Sequence, residues 1–256
     1  MEVIHQPALA LLEFNSIAVG IQAGDAMVKR APIATIQSGT VQPGNYLVMV
    51  TGDVGPVEES VQAGQEIGAS ALVDTVYLPN VHPGVVSGIN GGRELEEGDA
   101  LGVVETRTVA SAILAADAGL KGAMVTLWQL RLADGLGGKG IVHFAGLVAD
   151  VEAAVEIAVA RVPGQLHSQV IIPQLHEEMK ANLATYGRFG ALRIGTSIGV
   201  YDLAIYRRLR EMNNSQQLAT DPQSQAPNPG PLSPDPRSLV ANEIANLSMR
   251  RDYAFR

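Results

Sequence analysis

The chain has no cysteine. Disulfides, thiolate metal sites and Cys-ligated iron–sulfur clusters are thereby excluded. Aromatic residues are scarce at 4 %, with a single tryptophan. The interior must be built mainly from Val, Ile, Leu and Ala, and small residues let backbones approach closely. No apolar run nears the roughly 20 residues that a membrane helix needs. The opening MEVIHQ has no basic segment leading into a long apolar one, so no signal peptide is expected. Basic residues are outnumbered, with 18 Lys and Arg against 26 Asp and Glu and a net charge of -8. That balance argues against a nucleic-acid partner. Catalytic signatures are missing as well: there is no GxxxxGK[ST], no HExxH and no Ser-His-Asp order. The segment DGLGGKG, residues 134–140, resembles a phosphate loop only in glycine content and lacks the hydroxyl after lysine. A cytoplasmic, membrane-free protein with no catalytic residue, no metal site and no cofactor is expected.

What is present is one stretch written twice. LALLEFNSIAVGIQAGDAMVKRA (residues 9–31) returns as LGVVETRTVASAILAADAGLKGA (residues 101–123). Glu13, Asp25, Ala26 and Lys29 match Glu105, Asp117, Ala118 and Lys121 at an offset of 92. Further on the offset becomes 94: Gly52, Glu58, Pro79 and His82 match Gly146, Glu152, Pro173 and His176. Two residues are therefore inserted in the second copy, in or beside a strand-to-strand loop, where insertions are tolerated. A repeat this long indicates a duplicated domain.

Each copy reads strand, helix, strand, strand, helix, strand. In the first, residues 9–14 form a strand, and Asn15 or Ser16 caps a helix that ends near Arg30 ahead of Pro32. Strands follow at residues 34–38 and 46–51, a helix at 54–67 and a strand at 72–78. Residues 79–92 read as a long exit and 93–99 as a charged bridge. The second copy predicts strands at residues 101–106, 126–132, 141–145 and 169–172, with helices ending near Gly122 and covering 149–161. The fold class is α+β: two tandem split βαβ, ferredoxin-like sandwiches, over residues 7–98 and 99–183. Residues 184–256 form an extension. It holds a helix at 200–212, a flexible Pro-, Gln- and Ser-rich linker at 215–238 and a short amphipathic helix at 239–249.

The segments at residues 11–31 and 102–123 resemble the opening strand and helix of bacterial microcompartment shell domains. GDVGPVEESVQAG and GLVADVEAAVEIA resemble that family's second helix region, and LPNVH and IIPQLH its closing strand. Two such domains in one chain are similar to the tandem shell proteins, in the order found in propanediol-utilisation compartments. The resemblance implies a homotrimer imitating a hexamer, a flat tile with a central pore for metabolites, which meets other shell proteins at its edges. It places the pore at Val41, Gln42, Pro43 and Gly44 in the first copy and at Gly135, Leu136, Gly137 and Gly138 in the second. Relatives can carry a cluster-binding cysteine where this chain has Gln42, so a polar opening without a cluster is expected. Lys29 and Lys121 match the family's edge lysine; read alone they are solvated lysines at helix C-termini. The family's arginine is replaced by Asn80 and Gln174.

His82 and His176 read as equivalent structural positions, and Glu13 and Glu105 as residues ordering the strand-to-helix turn. The extension either has no partner or docks a cargo enzyme or another shell protein through its last helix. The alternative to a shell tile is a ferredoxin-like ligand-binding or regulatory ring.

Overall fold

A computed structural model describes residues 8–92 and 100–185. Residues 1–7, the charged bridge, the helices expected at 200–212 and 239–249 and the linker between them lie outside the described residues.

The first repeat contains β1 (Ala8–Phe14), α1 (Ile17–Arg30), β2 (Thr35–Val41), β3 (Asn45–Gly52), α2 (Val54–Gly68) and β4 (Leu72–Leu78). The second contains β5 (Ala100–Thr106), α4 (Val109–Gly122), β6 (Thr126–Leu132), β7 (Gly140–Gly146), α5 (Val148–Arg161) and β8 (Leu166–Ile172). Short helices follow each fourth strand: α3 (Pro83–Ile89) and α6 (Glu177–Thr185). The sheets have strand orders β2-β3-β1-β4 and β6-β7-β5-β8, with every pair antiparallel. This is the split βαβ arrangement that the alternation predicts.

The helices start where the sequence places caps. Ser16 Oγ accepts the Val19 N–H at 3.4 Å, and Thr108 Oγ1 accepts the Ser111 N–H at 3.3 Å. Residues 79–92 are not only an exit. His82 caps α3 by accepting the Gly84 N–H on Nδ1 at 3.1 Å, with Pro83 as the first helical residue. At the equivalent place His176 Nδ1 accepts the Glu178 N–H at 3.3 Å as α6 begins. The two histidines are thus equivalent capping positions. A seven-residue helix with two glycines is too short to show helical periodicity, which is why the sequence hides it.

Alternate residues of β1 go to different cores. Ala8, Ala10, Leu12 and Phe14 join Val48 and Val50 beneath α1 and α2, where Met27, Val57 and Val61 close the layer. Leu9 and Leu11, with Val76 and Leu78 of β4, join a second core shared with the other repeat, where they meet Val109, Ile113 and Ala116 of α4. With so few aromatics, helices come close through glycine. A Cβ on Gly68 would stand 2.2 Å from the Phe14 ring, and one on Gly119 2.4 Å from the Phe144 ring.

Candidate functional site

Two hairpin tips make the first part of the site. Val41 pairs with Asn45 across the β2–β3 turn. Its counterpart is Ala133, whose N–H donates to the Lys139 carbonyl at 2.9 Å. Residues 42–44 span the first tip and residues 134–138 the second, so the two inserted residues sit in the loop itself. The first tip is a tight turn closed by the Gly44 N–H on the Val41 carbonyl at 2.9 Å, with Gly44 at φ 127°. The second carries Ala133 in the left-handed region, φ 49°, where a side chain is strained, and its three glycines also have positive φ.

The two tips touch. A Cβ on Gly138 would stand 3.0 Å from Pro43 Cδ and 3.3 Å from the Gln42 carbonyl oxygen. Between them lies an open groove of about 570 Å³, lined by Thr40, Val41, Gln42, Pro43, Gly44, Asp134 and Gly137. Gly138 packs against Pro43 and Gln42, and Gly135 and Leu136 are not among the residues that line the groove. Thr40 and Asp134 are the groove residues that sequence reasoning misses, because the resemblance places the pore only at residues 41–44 and 135–138. The nearby cation, Lys139, is held away on Glu105 at 2.6 Å.

The second part of the site is the junction between repeats. Strand β1 has a bulge at Glu13/Phe14, which breaks the register against β4. Glu13 is buried; Oε1 accepts from Asn45 Nδ2 at 3.0 Å, and Oε2 accepts the Val109 N–H at 3.0 Å. It therefore caps the other repeat's helix, α4, rather than ordering its own strand-to-helix turn as the sequence suggested. A carboxylate at a helix N-terminus is favoured by the orphan N–H groups and the dipole. Burial raises the Glu13 pKa above its ordinary 4.5; the bonds from Asn45 and Val109 oppose this, and the charge of Asp74 adds to it. Asp74 Oδ2 accepts from the Thr108 hydroxyl and from Ser111 Oγ, the latter at 2.7 Å. Farther along α4, Asp117 Oδ1 accepts the His82 N–H at 2.8 Å. Lys121 binds Asp117 at 2.6 Å and also reaches the Asn80 carbonyl. Asp74 could not be found by self-comparison, because Ser168 stands at its place in the second repeat.

The same surfaces recur at the two ends of the described chain, where no described residue covers them. On α1, Ile17, Ile21 and Val28 are 40, 53 and 41 % exposed, whereas their α4 counterparts Val109, Ile113 and Leu120 are 0, 0 and 9 % exposed. Among the described residues Lys29 pairs only with Asp25, at 2.5 Å, and both are exposed. On the second repeat, Val170 and Met179 are half exposed where Val76 and Val85 are buried. One edge thus lacks the face that covers α4, and the other lacks a helix to cover.

Among the described residues, no group of three or more His, Asp or Glu stands where it could hold a metal ion. None of the described helices is long and apolar enough to cross a membrane.

Comparison with known proteins agrees with this duplicated architecture. The profile of the BMC domain matches residues 8–81 and again residues 100–175. The bacterial microcompartment shell protein PduT of Citrobacter freundii is 41 % identical over 174 residues, spanning 67 % of this chain and 95 % of that protein. The carboxysome assembly protein CcmO of Synechocystis sp. is 30 % identical over 206 residues, spanning 71 % of this chain and 68 % of that one. A crystal structure of a microcompartment protein from Desulfitobacterium hafniense aligns with TM-score 0.60 at 40 % identity, covering 69 % of this chain and all but 1 % of the other (99 %). With both repeats matched and the sheet order the same in each, the chain belongs to the BMC domain family and carries two tandem copies of the domain.

Proposed function

We propose that this chain is a structural tile of a bacterial microcompartment shell and not an enzyme. Three copies close head to tail into a ring of six domains, and the hairpin tips surround a central opening. The observation that carries this reading is the stripe of Ile17, Ile21 and Val28 on α1, left open where its α4 counterpart is covered. A surface that recurs with its complement displaced is the mark of a heterologous interface, and such interfaces are all satisfied only when the ring closes. Covering the half-exposed stripe contributes on the order of 1 kcal/mol per side chain before the cost of association.

The opening would be lined by the residues of the groove between the tips. Three Gln42 amides and three Asp134 carboxylates make it polar, and a chain without cysteine brings no thiolate for a cluster. Small polar metabolites are the class of solute that fits. Lys29 and Lys121, near the C-termini of α1 and α4, would lie at the tile edge against neighbouring shell proteins. The residues after 183 would meet cargo or other shell proteins. Sedimentation and electron microscopy test the reading. A trimer that grows into sheets or closed particles as concentration rises is expected. A lasting monomer, or a discrete ring that binds a ligand saturably and never forms sheets, contradicts it.

A further inference from the structure

The junction inside the chain has different chemistry from the surfaces left open at its ends. Inside, Glu13 is bonded to the neutral amide of Asn45, and Asp74 adds a second carboxylate that takes two hydroxyl donors. At the open edge the counterpart of Glu13 is Glu105, in register against Ile141 and Ser168 as Glu13 is against Leu47 and Asp74. The same bulge follows it, between Glu105 and Thr106. Asn45 is replaced by Lys139, which holds Glu105 Oε1 at 2.6 Å, and His167 Nε2 stands 3.9 Å from the same oxygen. Glu105 Oε2 has no partner among the described residues. At the other end of the chain, the α1 N-terminus repeats that of α4: Ser16 caps it as Thr108 caps α4, and Ile17 stands where Val109 does. The Ile17 N–H, unlike that of Val109, has no acceptor among the described residues.

We propose that Glu105 of one chain caps α1 of the next, its Oε2 accepting the Ile17 N–H as Glu13 accepts that of Val109. The occupant of the open edge is a second copy of this chain, and the proposal rests on the ring reading above. Ser168 then lies beside Ser16, as Asp74 lies beside Thr108. Val170 and Met179 cover Ile17 and Ile21, as Val76 and Val85 join the core around Val109 and Ile113. The two junctions are not interchangeable. Val19 on α1 replaces Ser111, so α1 offers Asp74 one hydroxyl fewer than α4 does, whereas Ser168 brings no charge that needs it. Asp74 thus favours α4 on the first repeat's face, and Glu105 with Lys139 receives α1. This keeps unlike domains as neighbours around the ring.

The full-length chain tests this by sedimentation across a concentration series. Glu105→Ala removes a charge-assisted bond, so the concentration for half-dissociation should rise roughly tenfold or more, with the far-ultraviolet circular dichroism of the dissociated chain unchanged. Because the chain has no cysteine, S16C with S168C introduces the only thiols. A short bis-maleimide should then link chains into covalent dimers and closed trimers, while either single variant stays unlinked. A trimer with the wild-type midpoint for Glu105→Ala and no cross-link in the double variant overturns this contact but leaves the ring standing. A wild-type chain that is monomeric at every concentration overturns both.

Discussion

Glu13 shows how a single buried carboxylate ties the two repeats together. Its folded-state pKa lies above the ordinary 4.5, chiefly because burial disfavours the charged form. The folded protein therefore binds this proton more tightly than the unfolded chain does. The contribution of Glu13 to stability is then greatest below the ordinary value and declines as pH rises through the raised one. Glu13→Gln keeps the shape and an acceptor for the Val109 N–H, and Asn45 can turn its carbonyl towards the new amide. Wild type should show a Glu13-dependent fall in Tm as pH rises above 4.5, and the variant should lose it. Thermal melts of both proteins across that range check it; parallel curves would contradict the assignment. The sequence shows that Glu13 and Glu105 are equivalent but not what they bind. Their partners lie 32 to 96 residues away, Asn45 and Val109 for Glu13 and Lys139 for Glu105, and no local pattern encodes that distance.

At the scale of elements, the scarcity of aromatics sets how closely helices approach. Gly68 ends α2 against the buried Phe14 ring, where a Cβ would clash at 2.2 Å. Gly68→Ala should destabilise the fold by about 1–3 kcal/mol through overpacking. Gly55 lies near the start of the same helix with nothing within 4 Å of an added Cβ, so Gly55→Ala should be neutral or stabilising by up to about 1 kcal/mol. Urea unfolding of the two variants should therefore move in opposite directions or leave only Gly68→Ala displaced. The principal strands and helices were legible because each carries its own period and its own stop, such as Pro32 after α1. The short helices α3 and α6 were not. Helix α3 is held by a histidine cap and by packing on β6, where a Cβ on Gly88 would stand 2.7 Å from Leu127, and neither signal is periodic.

At the scale of the whole molecule, duplication carries most of what can be read. The repeat predicts two sheets of one topology, and the change of offset predicts a longer second tip; both are found, in sheets β2-β3-β1-β4 and β6-β7-β5-β8 and in tips 42–44 and 134–138. What the repeat cannot reveal is where the copies diverge for function: Asp74 against Ser168, Asn45 against Lys139, Gln42 against a five-residue glycine loop. In the proposed ring those differences give the chain one finished junction and two half-junctions. The central claim is that copies complete these halves and bring the tips around a shared axis. A density map of the assembled ring tests it most directly. The account predicts three Gln42 side chains facing one another across a central opening, with each tip of residues 134–138 beside a tip of residues 42–44. Gln42 on the outer rim, far from its symmetry mates, would contradict it.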